Sequence, residues 1–237
     1  LGTGSAFAKK YYNNNALIEV QGYTLLIDCG ITAPIALNKL NMSPDVLDGI
    51  LITHLHADHI GGLEEIAFAM KYIYKRKLTL FVPSPLVQPL WENSLKGGMQ
   101  DASDIDLEHL FDVIQLEEGQ SYPVHHGLTV EIMQTEHVPK KISYSLMIND
   151  RLFYSADMRF NLPLIRHLFY ERKCKTILHD CQLHQPPTVH TTLNQLLTLP
   201  EEIQEHTYLM HYGDEKEQYI NKIGKMKFLE QHKPYQF

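Results

Sequence analysis

Short apolar runs and polar breaks alternate along this chain from end to end. Ala16-Leu17-Ile18-Glu19-Val20 and Tyr23-Thr24-Leu25-Leu26-Ile27 flank Gln21-Gly22, which predicts a hairpin. Asp28-Cys29-Gly30 breaks the second strand. Residues 35–40 then read as a helix, Ser43-Pro44-Asp45 as a turn, and Gly49-Ile50-Leu51-Ile52-Thr53 as a buried strand. Apolar positions at helical spacing predict a helix over 63–74, and Leu78-Thr79-Leu80-Phe81-Val82 a strand stopped by Pro83.

From 85 to 116 the pattern weakens into short helical stretches around Trp91 and over 107–111, with a loop at Gly97-Gly98. Four strand-like runs are expected between 111 and 155. A helix over 162–170 leads to the strand Thr176-Ile177-Leu178-His179, and a helix over 191–197 precedes the last strand, Thr207-Tyr208-Leu209-Met210. Hairpins followed by strands that alternate with helices predict two packed sheets covered by helices, an αββα sandwich. No repeat, low-complexity segment or linker interrupts the pattern, so residues 1–237 read as one domain. A chain of 237 residues that is 44% hydrophobic can bury a core of that size.

Chemistry concentrates just after the buried strand. His54, His56, Asp58 and His59 place four metal-binding side chains within six residues. Imidazole and carboxylate without a nearby thiolate suit zinc or manganese and exclude an iron–sulfur cluster. His54 and His56 are two apart in extended chain and point the same way. Asp58 and His59 come one turn later and face a neighbouring point, so one segment can serve two adjacent metals. Each zinc takes about three or four protein ligands, so others must come from further along. His137, Asp157 and His211 each follow a short apolar strand and are the candidates.

Charge and cysteines narrow the partners. A net charge of −7 argues against a large nucleic acid, which would need a basic surface. Bound divalent cations would still draw a small anion. The three cysteines, Cys29, Cys174 and Cys181, have no C-x-x-C spacing and read as free thiols of a reducing cytoplasm. No stretch of about 18 apolar residues predicts a membrane span. The chain opens at Leu1-Gly2-Thr3-Gly4 without a methionine, so a short N-terminal piece is expected to precede it.

The motif His54-x-His56-x-Asp58-His59, followed in order by His137, Asp157 and His211, resembles the metallo-β-lactamase superfamily of dinuclear metallohydrolases over essentially the whole chain. The resemblance implies the αββα fold and two divalent metal ions, zinc or manganese. It places His54, His56 and His137 on one metal, Asp58, His59 and His211 on the other, and Asp157 between them. Leu1-Gly2-Thr3-Gly4-Ser5, Asn13-Asn14-Asn15-Ala16 and Asp28-Cys29-Gly30 are similar to the opening loop and D-x-G turn of the ribonuclease Z branch. His179-Asp180-Cys181 sits where that branch carries H-E-A-T, and His190-Thr191-Thr192 where it carries H-S-T. Carried over, His190 acts near a phosphate and Asp180 orients it. With Asp58 they are the candidate catalytic side chains. The departures are aspartate for glutamate at 180 and cysteine for alanine at 181.

One departure is larger. The bacterial ribonuclease Z inserts a basic, glycine-rich tRNA-gripping arm between the isolated histidine and the bridging aspartate. Here His137 and Asp157 are only 20 positions apart, filled by two strands and a turn. The chain therefore looks like the compact cyclic-nucleotide phosphodiesterases of the anti-Pycsar type, found in phages and bacteria. That resemblance implies hydrolysis of a small 3′,5′-cyclic nucleotide to a linear monophosphate, by a cytoplasmic homodimer that binds no membrane. The metal centre leaves open RNA 3′-end processing and lactone or thioester hydrolysis. His179 reads as a packing or supporting residue, and His125-His126 as a loop pair. His109, His167, His184, His206 and His232 read as surface or packing residues.

Overall fold

The structure, a computed structural model, describes residues 1–100 and 105–237. Residues 101–104, part of the weakly patterned stretch, lie outside the described residues. Among the described residues twelve strands form: β1 (Ala16–Val20), β2 (Tyr23–Ile27), β3 (Gly49–Leu51), β4 (Leu78–Pro83), β5 (Phe111–Leu116), β6 (Ser121–His125), β7 (Leu128–Thr135), β8 (Ser143–Ile148), β9 (Leu152–Tyr154), β10 (Thr176–Asp180), β11 (Thr207–Met210) and β12 (Lys227–Phe228). They build a five-stranded sheet, β1-β2-β3-β4-β5, and a seven-stranded sheet, β12-β11-β10-β9-β8-β7-β6. Both sheets are mixed: β1–β2 is an antiparallel hairpin beside parallel β2 to β5, and β6 to β9 are antiparallel beside parallel β9 to β12. With helices flanking both sheets, this is the expected αββα sandwich.

The period of two along the strands sorts side chains into two cores. Leu128, Val130 and Ile132 of β7, Tyr144 and Leu146 of β8, Tyr154, Leu178 and Met210 pack with Leu25, Ile50 and Leu80 of the first sheet. Their neighbours Met147, Phe153, Ile177 and Leu209 face the other way, onto the helices near Ile165, Leu196 and Ile203. β8 is buried along its whole length, and its two serines are satisfied there: the Ser143 and Ser145 hydroxyls donate to the Asp157 and Ser155 carbonyls.

Four details differ from the sequence reading. Five strands, not four, occupy 111–155, because only His126-Gly127 separates β6 from β7 and the runs merge in the pattern. His125 accordingly ends a strand and stacks on Tyr23, ring centroids 4.7 Å apart, rather than sitting in a loop. Gly97 and Gly98 lie inside the helical turn Lys96–Met99, where the preceding helix carries them on despite poor glycine propensity. β12 follows the expected last strand and was too short to show a period. The helix over 63–74 forms as Leu63–Phe68 and widens into a π turn over Ala69–Tyr74. Among the described residues no helix is long and apolar enough to cross a membrane.

The pairing also sets where chemistry gathers. Strands β2 and β3 are parallel, and β7, β9, β10 and β11 share one direction in the second sheet, so their C-terminal ends collect along one edge of the sandwich. At that edge Tyr144 N donates to the Thr53 carbonyl at 3.2 Å and ties the two sheets together.

Candidate metal centre

Every candidate ligand lies at that edge. β3 runs into extended chain carrying His54 and His56, then the helical turn Ala57–Ile60 carries Asp58 and His59. His137, Asp157 and His211 follow β7, β9 and β11. The loop carrying Asp58 is packed tightly: a Cβ on Gly30 would sit 1.9 Å from the Asp58 carbonyl oxygen, so only glycine fits there. Cys29 N donates to the His59 carbonyl at 2.6 Å from the same turn.

Two quartets form, His54–His56–His137–Asp157 and Asp58–His59–His211–Asp157, each with its ligand atoms within 4.8 Å of one another. In the first, His54 Nε2 lies 3.0 Å and His137 Nε2 3.3 Å from His56 Nδ1. In the second, Asp58 Oδ2 lies 3.3 Å from His59 Nε2 and 3.4 Å from His211 Nε2. Asp157 Oδ2 is common to both, 3.3 Å from the Nε2 atoms of His59 and His211 and 3.7 Å from those of His54 and His137. The structure thus brings together all seven residues singled out as metal ligands.

The donor set fits divalent cations. Because His137 donates its Nδ1 proton to the Val189 carbonyl, its Nε2 turns a lone pair toward the His56 and His54 nitrogens, as a metal ligand would. His59 Nε2 and Asp157 Oδ1 are buried without any hydrogen bond, a costly state unless another group completes them. Burial, reinforced by neighbouring rings, holds His54 well below the ordinary imidazole range and His56 at about 4. Both rings are neutral, the form that binds metal. Burial also opposes charge on Asp58 and Asp157, yet the His211 and His59 rings that face them bring both carboxyls below their ordinary range.

Surrounding groups hold the rings. His137 Nδ1 donates to the Val189 carbonyl at 2.9 Å, and His59 Nδ1 lies 2.7 Å from Asp28 Oδ2. His211 takes a positive φ of 56°, which tertiary contacts must enforce. Its neighbour Tyr212 supplies them. The Thr3 hydroxyl donates to the Tyr212 hydroxyl at 2.7 Å, which donates to the Leu229 carbonyl at 2.5 Å. Buried Lys216 lies over the rings of Tyr11, Tyr212 and Phe228 and pairs with Glu230 at 2.7 Å.

His190 and Asp180 also come together. His190 Nδ1 lies 3.2 Å from Asp180 Oδ2, and the His190 ring sits 4.8 Å from that of His137 and 4.7 Å from that of His211, one from each quartet. Burial alone would lower the His190 pKa, but the Asp180 hydrogen bond and the charge of Asp157 raise it. Burial would raise Asp180, but hydrogen bonds from His179 and His190 lower it. His179 is fully buried, its Nδ1 3.0 Å from Asp180 Oδ1.

The sequence reading passed over what Asp28 and Thr53 do. Asp28 was visible only as a turn residue and Thr53 only as the end of a strand. The single available signal was a hydroxyl between an apolar strand and a histidine motif. Asn15, in the opening loop, accepts at Oδ1 from Gly30 N at 3.0 Å.

The family described as anti-Pycsar protein Apyc1 matches this chain over residues 1–235. An anti-Pycsar protein Apyc1 of Paenibacillus xerothermodurans is 56% identical over 240 aligned positions, which cover 100% of this chain and 96% of that protein. Another, from Bacillus phage BSP38, is 42% identical over 99% of this chain and 96% of its own. The solved structure of YhfI from Bacillus subtilis, a metallo-β-lactamase fold protein, superposes with a TM-score of 0.72 at 17% identity, covering 97% of this chain and 94% of that one, a likeness of fold.

Proposed function

The chain belongs to the anti-Pycsar protein Apyc1 family, in the ribonuclease Z-like branch of the metallo-β-lactamase superfamily, and from that premise we propose that it opens 3′,5′-cyclic nucleotides to linear nucleoside monophosphates. It is a metal-dependent hydrolase. The observation that carries the phosphodiester reading is a pair of quartets sharing Asp157, with the His190–Asp180 pair beside both.

In this proposal His54, His56, His137 and Asp157 hold one divalent cation, and Asp58, His59, His211 and Asp157 the other, zinc by the nitrogen-rich donor set. Two such cations supply Lewis acidity toward phosphoryl oxygens and lower the pKa of a water. Asp58 and Asp157 offset part of the cationic charge. As the imidazolium that the Asp180 and Asp157 carboxylates favour, His190 gives its Nδ1–H to Asp180 and keeps an Nε2–H to donate to a phosphoryl oxygen or to the departing ribose oxygen. Its side chain is 21% exposed, which leaves it reachable from solvent. A cleft of about 640 Å³ adjoins His137 and is lined by Lys140, Lys141 and Arg159 together with Glu118 and Glu136.

The enzyme acts in the cytoplasm as a homodimer in this reading. Exposed Ile31, Ile35, Tyr72 and Ile73 support pairing of two copies.

Incubation with a panel of 3′,5′-cyclic mononucleotides, a precursor tRNA and a lactone, read by chromatography, tests the substrate class. Linear monophosphates are the expected product. Cleavage of the tRNA or the lactone alone overturns the proposal. For His190→Ala, kcat is expected to fall by about 10²-fold or more, the scale of a lost proton donor, with KM changing far less. A rise in KM at unchanged kcat would leave His190 a binding role only.

A further inference from the structure

We propose that Thr53 is a positioning residue whose single hydroxyl links the two halves of the metal centre, an inference that rests on the two-metal reading above. Thr53 and Asp28 are fully buried. Thr53 N donates to Asp28 Oδ1 at 2.8 Å, and Thr53 Oγ1 lies 2.7 Å from Asp28 Oδ2 and 3.1 Å from His54 Nδ1. Asp28 Oδ2 is in turn 2.7 Å from His59 Nδ1.

With Asp28 ionised, proton counting gives this chain one arrangement. A carboxylate only accepts, so the one hydroxyl proton of Thr53 goes to Asp28. The hydroxyl oxygen must then accept from His54, which puts the His54 proton on Nδ1 and its lone pair on Nε2. Nε2 is the atom that faces His56 and His137. By the same logic Asp28 takes the Nδ1 proton of His59 and leaves the lone pair on Nε2, the atom beside Asp58 and Asp157. His54 belongs to one quartet and His59 to the other. One hydroxyl and one carboxylate therefore select the binding tautomer of a ligand in each.

The backbone makes the link stiff. Asp28 holds a positive φ of 58° while its N donates to the Leu51 carbonyl at 2.8 Å. The Thr53 carbonyl accepts from Tyr144 N in the opposite sheet at 3.2 Å. The hydroxyl is thus fixed to both sheets at the edge where the ligands converge.

Zinc titration of the full chain against a chromophoric chelator tests the assignment. Wild type is expected to take two zinc ions. Thr53→Val keeps the shape and removes the hydroxyl, and is expected to lose about 10- to 100-fold in affinity at both sites. Thr53→Ser keeps the hydroxyl and is expected to stay within a few-fold of wild type. Two zinc ions bound by Thr53→Val with wild-type affinity would overturn the role of Thr53 and leave the two-metal reading standing. A wild type that binds no zinc would overturn both. A purely structural threonine would lower the thermal midpoint of Thr53→Val equally with and without zinc, at unchanged affinity. The ring ¹⁵N spectrum of the zinc-loaded wild type gives a measurement that needs no variant. His54 and His59 are expected to carry their protons on Nδ1, and a proton on Nε2 of either would overturn the assignment.

Discussion

Asp157→Ala is expected to lower kcat by about 10³-fold or more, a loss on the scale of removing a group that stabilises transition-state charge, while the protein stays folded. Asp157 Oδ2 faces all four Nε2 atoms of His54, His59, His137 and His211, two from each quartet. Two divalent cations carry four positive charges, and Asp58 and Asp157 are the two carboxylates among the seven proposed ligands. Alanine halves that compensation and removes the atom shared between the sites. The backbone there is held independently, since the Ser143 hydroxyl donates to the Asp157 carbonyl at 3.2 Å. Kinetics on a cyclic mononucleotide, metal content and circular dichroism together check the expectation. Native-like folding with kcat within ten-fold of wild type would remove Asp157 from the centre.

Stripping divalent metals with a chelator is expected to abolish turnover, and adding zinc or manganese to restore it. The stability change should be large as well. The four ligand histidines that face Asp157, together with Asp58 and Asp157, are buried, and without cations their converging polar atoms lack partners. Ligand at about a thousand times its dissociation constant adds roughly 4 kcal/mol of stability, which in a chain of this size raises the thermal midpoint by about 8–16 °C. Thermal melts of the stripped and reloaded protein read this directly. Turnover at the original rate after metal content has fallen to zero would refute the two-metal scheme.

Much of the fold was legible because it is local. The β1–β2 hairpin around Gln21-Gly22 has the expected boundaries, and the strand before His54 forms over Gly49–Leu51, two residues shorter than the run to Thr53 that predicts it. What blurred was also local in cause. β6 and β7 are separated by too few residues to show a break, β12 is too short for a period, and Gly97-Gly98 follow a helix that overrides their propensity.

The site divides along a similar line. His54, His56, Asp58 and His59 announce metal chemistry by themselves, because four ligand types within six residues need no fold to be neighbours. Composition also declared the chain's acidity, and the 20-position interval between His137 and Asp157 left no room for the arm that the ribonuclease Z resemblance brings to mind. The meeting of His137, Asp157 and His211 with that cluster depends on parallel strands from distant parts of the chain ending at one edge. The sharing of Asp157, the Asp180–His190 bond and the Thr53–Asp28 link were decided there too. Each is a contact of about 3 Å between atoms that only the packing of two sheets can bring so close.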